Sequence, residues 1–400
     1  MSEIRDSFAD LISPWLNLPR YPEALERIDL FFINIPTTII TLLFLTIACF
    51  TCGPFRTNWT KSTASLIILL PSVVRFLYDY AYDTPFSLIS QIVDISICFI
   101  IFHSIGKKTH HSNSIFLNIT IGIATITLVS LLALLLRINT IFNTPSSIIS
   151  MIVPVWLIFT IWKSNSPLPK IKSKTLLITG LIIFPFLPYF FTPAPPDADI
   201  TTMSEMLGYL FQGQNLFHVH SGIEGEWYSI RYPAGFPALG WSIAHLLNIR
   251  ASESLLLLWF ISFVVFVNNL MILAQKLKIN KFLILLFTLN GIVIGWTSLR
   301  GGQVQEMLSY ALGMGMISLF FNKRFNAGAF CLGASMVIHP VVSLPFCLVF
   351  FIWTSWHIVT KNIPISKFII GLTTLTLIVI YLFLLTSGPT LTPSQPQIIL

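Results

Sequence analysis

The sequence predicts an all-α, polytopic integral membrane protein with about 11 apolar helical segments and one large external loop. Hydrophobic residues make up 54% of the 400 positions and charged residues only 10%, whereas a soluble domain carries about 25% charged residues. The apolar runs are continuous and many approach the roughly 20 residues that cross a bilayer core. A membrane β-barrel would show alternating apolar and polar residues instead.

The apolar runs follow one another along the chain with short polar loops between them. The run that extends over 326–356 is interrupted by His339-Pro340, so it could form one tilted helix or two half-helices that enter and return. The polar segment 1–28 lacks the basic and then apolar pattern of a cleavable signal peptide. The runs lie at approximately 30–52, 63–78, 86–105, 115–136, 141–162, 175–192, 254–274, 282–298, 304–321, 326–356 and 368–386.

The distribution of basic residues orients these segments. Most of the 23 Lys and Arg residues fall in one set of alternating loops, which the positive-inside rule places in the cytoplasm. If the stretch 233–249 crossed the membrane, Lys276, Lys278 and Lys281 would lie outside. We therefore expect an interfacial helix on the outer surface there, and the same constraint favours a broken hairpin over 326–356. The net charge of +7 is thus a topology signal, and no nucleic-acid partner is expected.

The chain divides into four regions by composition. Residues 1–28 form an external N-terminal segment, and 29–174 hold transmembrane helices of unassigned role. Residues 175–386 form a transmembrane core that includes the external loop 193–253, and 387–400 form an external tail or the start of a second external loop. None of the five cysteines lies in the 193–253 loop, so no external disulfide framework is expected.

Two carboxylates open the external loop, where an apolar run ends. Asp197 and Asp199 follow Pro195-Pro196 and would stand at the boundary between water and headgroups. Partial desolvation raises a carboxyl pKa and suits a general base. A solvated turn that ends a helix would explain the same residues. After them, an apolar stripe at helical spacing predicts a helix over Ile200–Gln212 that Gly213 ends.

A basic and aromatic pair lies farther along the loop. Arg231 and Tyr232 precede the 233–249 stretch, and a guanidinium group can bind a phosphate with two parallel hydrogen bonds. An ion pair with Glu224 or Glu226 is the structural alternative. His218, His220 and Glu224 could bind a divalent metal, although solvated loop side chains would have the same pattern.

Further polar residues lie near the ends of later segments. Arg300 and Glu306 flank the start of the 304–321 run, where the helix dipole favours a carboxylate. His339 lies within an apolar run and must face protein or water. Arg75 and Asp94 lie on adjacent predicted helices, and we expect them to pair.

This series of motifs resembles the integral-membrane glycosyltransferases of the GT-C fold, a group that includes protein O-mannosyltransferases and lipid A aminoarabinose transferases. That group shows an acidic motif after a transmembrane helix, a surface helix that ends in Gly, a Tyr-Pro segment before an interfacial helix, and a helix that returns to a basic loop. The corresponding segments here are Asp197-Ala198-Asp199, the helix to Gly213-Gln214-Asn215, Arg231-Tyr232-Pro233, Glu253 to Ala274, and Lys276-Leu277-Lys278.

The resemblance implies inverting transfer of a hexosyl or pentosyl group from a polyprenyl-phosphate-linked donor to a lipid, glycan or protein acceptor. It implies that Asp199 or Asp197 is the catalytic base. It also implies that Arg231 holds the donor phosphate and that Tyr232, Arg300 and Glu306 contact substrate. The implied location is a bacterial inner membrane, with membrane lipids around the chain and the loop on the periplasmic or extracellular side.

The chain departs from that group in its first half. The group has one helix before the acidic loop, whereas about six are predicted here, so residues 1–170 are not covered. A transporter or lipid-linked glycan flippase is one alternative, in which Arg75, Asp94 and His339 would matter more than the loop. An O-antigen-type polymerase or ligase is the other, and its donor would be linked through pyrophosphate.

Overall fold

The computed structural model confirms a helical architecture in the part of the chain that it describes. The helices are α1 (Ser87–His110), α2 (Ile115–Leu135), α3 (Ala198–Phe211), α4 (Gly235–Leu247), α5 (Ala251–Lys276), α6 (Val304–Phe321), α7 (Phe325–Ile338), α8 (Pro340–Val359) and α9 (Ile369–Ser387). The described residues are 61, 65, 87–110, 114–141, 155–156, 158–159, 162, 198–213, 220–223, 226–229, 234–247, 249, 251–280, 304–360 and 368–387.

Among the described helices, three are long and apolar enough to cross a membrane: α2, the Glu253–Lys276 part of α5, and α8. Six of the predicted apolar runs coincide with described helices. The run 326–356 corresponds to two helices, α7 and α8. The predicted runs at 30–52, 175–192 and 282–298 lie outside the described residues, and those at 63–78 and 141–162 lie almost entirely outside them.

Helices α1 and α2 form an antiparallel hairpin. Ser114 caps α2, and its hydroxyl accepts a hydrogen bond from the Leu117 amide at 3.5 Å. A Cβ atom on Gly106 would overlap the carbonyl oxygen of Asn118, and one on Gly122 would overlap that of Phe102. The two backbones therefore approach closely at two glycines, a packing mode that is common between helices in membranes.

Helix α5 lies at the centre of the described bundle. In its most apolar 18-residue stretch 89% is buried, whereas the figure for the corresponding stretch of α8 is 28%. It runs parallel to α6. The rings of Phe266 and Tyr310 are 6.5 Å apart, and three residues later the Asn269 amide donates to the Ala311 carbonyl at 2.9 Å. Both helices thus begin at the same end of the bundle, which is the arrangement that the charge-derived topology requires.

The chain reverses direction at His339, which confirms the broken hairpin. The residue is extended, with φ −151° and ψ 92°, and separates α7 from α8. At the far end of the pair, the rings of Phe325 and His357 are 5.7 Å apart. Helix α9 then runs parallel to α7, because the Gly371 amide donates to Asn326 Oδ1 near the start of both helices.

Helix α4 stays at one end of the bundle, as predicted for 233–249, but it is not a surface helix. Its 13 residues extend about 20 Å, too short to cross a bilayer. Its neighbours are Val337 at the end of α7, Leu207 on α3 and Leu255 near the start of α5. Only Ser242 and Leu246 are partly exposed, because α3 and three bundle helices enclose α4.

The external loop 193–253 contributes helices α3 and α4 and one hairpin to the described structure. Helix α3 begins at Ala198, two residues earlier than predicted, and ends at Phe211. Gly213 follows it with a left-handed φ of 75°. Strands β1 (His220–Ile223) and β2 (Glu226–Ser229) pair antiparallel with His220 opposite Ser229. Apart from this short hairpin the described secondary structure is helical, in agreement with the predicted all-α class.

Candidate functional site

The helix directions define two ends of the described bundle. The basic end is where α5 and α6 finish and α7 and α9 start, and it holds Lys107, Lys108, Lys276, Lys278, Lys323 and Arg324. The acidic end is where α5 and α6 start, α2 finishes and α7 meets α8, and it holds Glu253, Glu306 and His339, together with Arg137 after α2. Helices α3 and α4 pack at the acidic end.

Glu306 and His339 face each other at the acidic end. The distance from Glu306 Oε1 to His339 Nε2 is 3.7 Å, and the two side chains are 19% and 17% exposed. Glu306 lies in the first turn of α6, where the positive end of the helix dipole stabilises a carboxylate. The pair is thus mostly shielded by protein and keeps limited access from outside.

His339 is held in place as the N-cap of α8. Its Nδ1 accepts a hydrogen bond from the Val342 amide at 3.3 Å, and Pro340 occupies the first helical position. A nitrogen that accepts cannot carry the proton, so neutral His339 has its proton on Nε2. That nitrogen lies 3.7 Å from Glu306 Oε1, so His339 is the donor of the pair and Glu306 the acceptor.

A pair of serines fixes the helices beneath this site. The hydroxyl oxygens of Ser309 on α6 and Ser335 on α7 are 2.6 Å apart, and the Ser335 hydroxyl also donates to the Ser309 carbonyl at 3.1 Å. Ser309 is one turn after Glu306, and Ser335 is one turn before His339. The serine pair therefore locks the two turns that carry Glu306 and His339.

Other polar residues at this end have structural surroundings. His245 is 7% exposed, and its ring lies 4.4 Å from that of Trp241 and 5.5 Å from that of Phe211. Its Nδ1 is 2.8 Å from the Trp241 carbonyl oxygen, which suits a packing role in α4. Asn139, after α2, donates to the Leu210 carbonyl at 3.2 Å. This carbonyl lies in the last turn of α3, where it has no partner within the helix.

The structure places some of the predicted site residues. Asp199 is the second residue of α3, where the dipole favours a carboxylate, and His220 opens β1. Glu306, in the first turn of α6, lies opposite His339. Asp197, Arg231, Tyr232, Arg300, His218 and Glu224 lie outside the described residues.

No group of three or more His, Cys, Asp or Glu that could hold a metal ion occurs within the described ranges. The metal prediction at His218, His220 and Glu224 depends mostly on residues beyond those ranges. Asp94 on α1 is fully buried, while Arg75, its predicted partner, is likewise not described.

Sequence reasoning singled out Glu306 and His339 separately and missed their pairing. The signal that points to a site is His339-Pro340 inside an apolar run, because a proline and an ionisable residue together predict an interrupted helix that faces protein or water. The serine pair leaves no comparable trace, since isolated serines occur throughout apolar helices.

Neither a protein-family model, nor a curated protein, nor a solved structure matches the chain.

Proposed function

We propose that the chain is a glycosyltransferase that uses a polyprenyl-phosphate-linked sugar and acts at the extracytoplasmic face of a membrane. The observation that supports this proposal is the composition of the acidic end. Helix α3, whose first turn carries Asp199, the non-spanning helix α4 and the Glu306–His339 pair all pack there, opposite the basic end. Such a site would lie at headgroup depth, where a lipid-borne phosphate and a soluble or lipid acceptor can meet.

In the proposed reaction, Asp199 or Asp197 removes the proton from an acceptor hydroxyl. The hydroxyl oxygen then bonds to the anomeric carbon of the sugar, and the bond from that carbon to the phosphate oxygen breaks. The electron pair leaves with the polyprenyl phosphate, and attack from the opposite face inverts the anomeric centre. A positioned general base contributes roughly 10²- to 10⁴-fold to such a step.

The departing phosphate needs positive charge close to it. Arg231 supplies this in the proposal, with Arg300 or a divalent cation as additional support, and charge stabilisation is the larger catalytic term. Glu306 would accept hydrogen bonds from sugar hydroxyls, with Tyr232 beside the donor. His339 Nε2–H lies within 3.7 Å of Glu306, so the pair offers one acceptor and one donor to a sugar.

The test replaces the candidate base. Asp199→Asn and Asp197→Asn keep side-chain volume but remove the base, so at least one should lower transfer by about 10²-fold or more. Lipid and glycan mass spectrometry of a deletion strain carrying each variant would show loss of one sugar from the acceptor and accumulation of its polyprenyl-phosphate carrier.

Gly208→Ala is the matched control, because it lies on the same helix and its new methyl group would meet no atom within 4 Å. It should keep full transfer. If both Asn variants also keep full transfer while the deletion strain lacks it, the base assignment is wrong. If the deletion strain loses no sugar, the glycosyltransferase proposal itself fails.

A transporter or lipid-linked glycan flippase is the second candidate, and the break between α7 and α8 is the observation that favours it. Broken helices form substrate sites in secondary transporters, usually near the bilayer midplane. Here the break lies at the acidic end, next to Gly235 of α4. Accumulation of an unmodified lipid-linked glycan on the cytoplasmic face of a deletion strain would support transport over transfer.

A further inference from the structure

The outer surface of α8 carries a groove near the basic end of the bundle. The groove is lined by Val349, Ile352, Trp353, Trp356 and His357. Ile352 and Trp356 are 62% and 66% exposed, so the groove opens away from the protein core. In a membrane-embedded α8, this face meets lipid.

The loop between α6 and α7 lies beside this groove. Phe321, just before the loop, has its ring 5.0 Å from that of Trp353. Phe325, just after it, has its ring 5.7 Å from that of His357. Lys323 and Arg324 lie between these two contacts in the chain, so two cations flank one end of an apolar groove.

Two ring nitrogens of the groove-lining residues support a ligand with acceptor oxygens. Trp353 Nε1 and His357 Nδ1 are buried and have no hydrogen-bond partner among the described residues. Buried polar atoms in proteins are nearly always paired. Tryptophan rings at the edge of a membrane commonly donate to the polar part of a lipid.

The backbone of Lys323 closes the end of α6 beside the groove. It has φ 58°, a left-handed value that favours glycine, and it ends α6 in a position where helices usually carry glycine. The Arg324 amide donates to the Leu319 carbonyl at 2.9 Å, which closes the turn. Arg137 and Lys278 follow the ends of α2 and α5 with the same φ of 58°, so this turn is a helix cap that fixes where Lys323 lies.

We propose that this groove binds an anionic phospholipid from the leaflet at the basic end. One acyl chain lies along Val349, Ile352 and Trp356, and the phosphate lies near Lys323 and Arg324. The ester oxygens are at the depth of Trp353 and His357. Charge complementarity selects the headgroup, because a zwitterionic lipid would bring its own cation toward the two basic residues. This inference does not depend on the proposed enzyme activity.

The test is native mass spectrometry of the purified full chain with added phosphatidylglycerol or phosphatidylcholine of the same acyl composition. The wild-type chain should bind the first phosphatidylglycerol more tightly than phosphatidylcholine. The double variant Lys323→Gly/Arg324→Gln should lower phosphatidylglycerol affinity about 30-fold and leave phosphatidylcholine affinity unchanged. Glycine suits the left-handed position, so this variant should fold normally.

Two further variants make the result specific. Trp356→Ala removes an exposed wall of the groove and should lower the affinity for both lipids. Lys107→Gln/Lys108→Gln removes the same charge from the basic end at α1 and should change neither affinity. The proposal is overturned if the Lys107→Gln/Lys108→Gln variant loses as much phosphatidylglycerol affinity as the Lys323→Gly/Arg324→Gln variant. Binding would then follow the overall charge of the basic end and not this groove. Unchanged affinity in the Lys323/Arg324 variant would also overturn it.

Discussion

At the scale of single residues, Asn269 ties three helices together inside the apolar core. Its side chain is fully buried on α5, and its amide donates to Thr120 Oγ1 on α2 and to the Ala311 carbonyl on α6, both at 2.9 Å. Gly315 leaves the space that this amide needs, because a Cβ there would lie 3.0 Å from Asn269 Nδ2. A buried amide is costly without such partners, so it specifies which helices are neighbours.

Replacing this amide should loosen the core. Asn269→Ala removes two interhelical hydrogen bonds and leaves a cavity, and we expect the free energy of unfolding to fall by about 1–3 kcal/mol. Thr120→Val tests the hydrogen bond with little change in volume. A double-mutant cycle of the two, measured by denaturation in mixed micelles, should give a coupling of about 0.6 kcal/mol. Strict additivity of the two effects would contradict a direct bond.

At the scale of elements, two glycines determine how closely α1 and α2 pack. Gly106 and Gly122 each face a carbonyl oxygen of the other helix, with no room for a Cβ atom. Backbone carbonyls cannot move aside as a flexible side chain can. The distance between the axes of this pair is therefore set by residues without side chains, while the long apolar residues around them fill the remaining space.

A methyl group at this contact should force the helices apart. Gly122→Ala should lower the free energy of unfolding by more than about 2 kcal/mol, because overpacking at a backbone contact cannot be relieved by a change of rotamer. Gly208→Ala on α3 is the matched control and should raise stability by up to about 1 kcal/mol, since alanine favours helix and meets open space. Thermal unfolding in detergent would compare the stability of the two variants. Equal stabilities would show that the α1–α2 contact has room for a methyl group, contrary to the structure.

At the scale of the whole molecule, the bundle separates charge between its two ends. Basic residues from three parts of the chain gather at one end, namely the end of α1, the end of α5 and the α6–α7 loop. Glu253, Glu306 and His339 lie at the other end, together with Arg137. Residues far apart in sequence reach the same end only because the helices alternate in direction. This separation is the arrangement that the positive-inside rule predicts for a membrane-spanning bundle.

The orientation can be measured with topology reporters. Fusions at residues 110 and 279 should report a cytoplasmic location, and a fusion at residue 225 should report the opposite side. The reason is that His110 and Ile279 lie at the basic end, whereas the β1–β2 hairpin follows α3, which packs at the acidic end. A cytoplasmic signal at residue 225 would contradict the two-ended arrangement and the proposed extracytoplasmic site.

The sequence alone determined that six of its apolar segments are helical, because hydrophobicity is a local property of the chain. It also predicted that α4 would not cross and that the chain would break at His339, since helix length, proline and the sides occupied by lysines constrain both. Proposed roles for Asp197, Arg231, Tyr232 and Arg300 remain predictions, because these residues lie outside the described ranges.

Only the tertiary structure decided which helices are neighbours. Hydropathy treats every face of an apolar helix alike, so it could not show that α4 is enclosed by other helices instead of resting on a membrane surface. It could not show that Asn269 meets Thr120, or that Glu306 meets His339 above a serine pair. These contacts join residues distant in sequence, and they form because close packing and the pairing of buried polar groups select one arrangement among many.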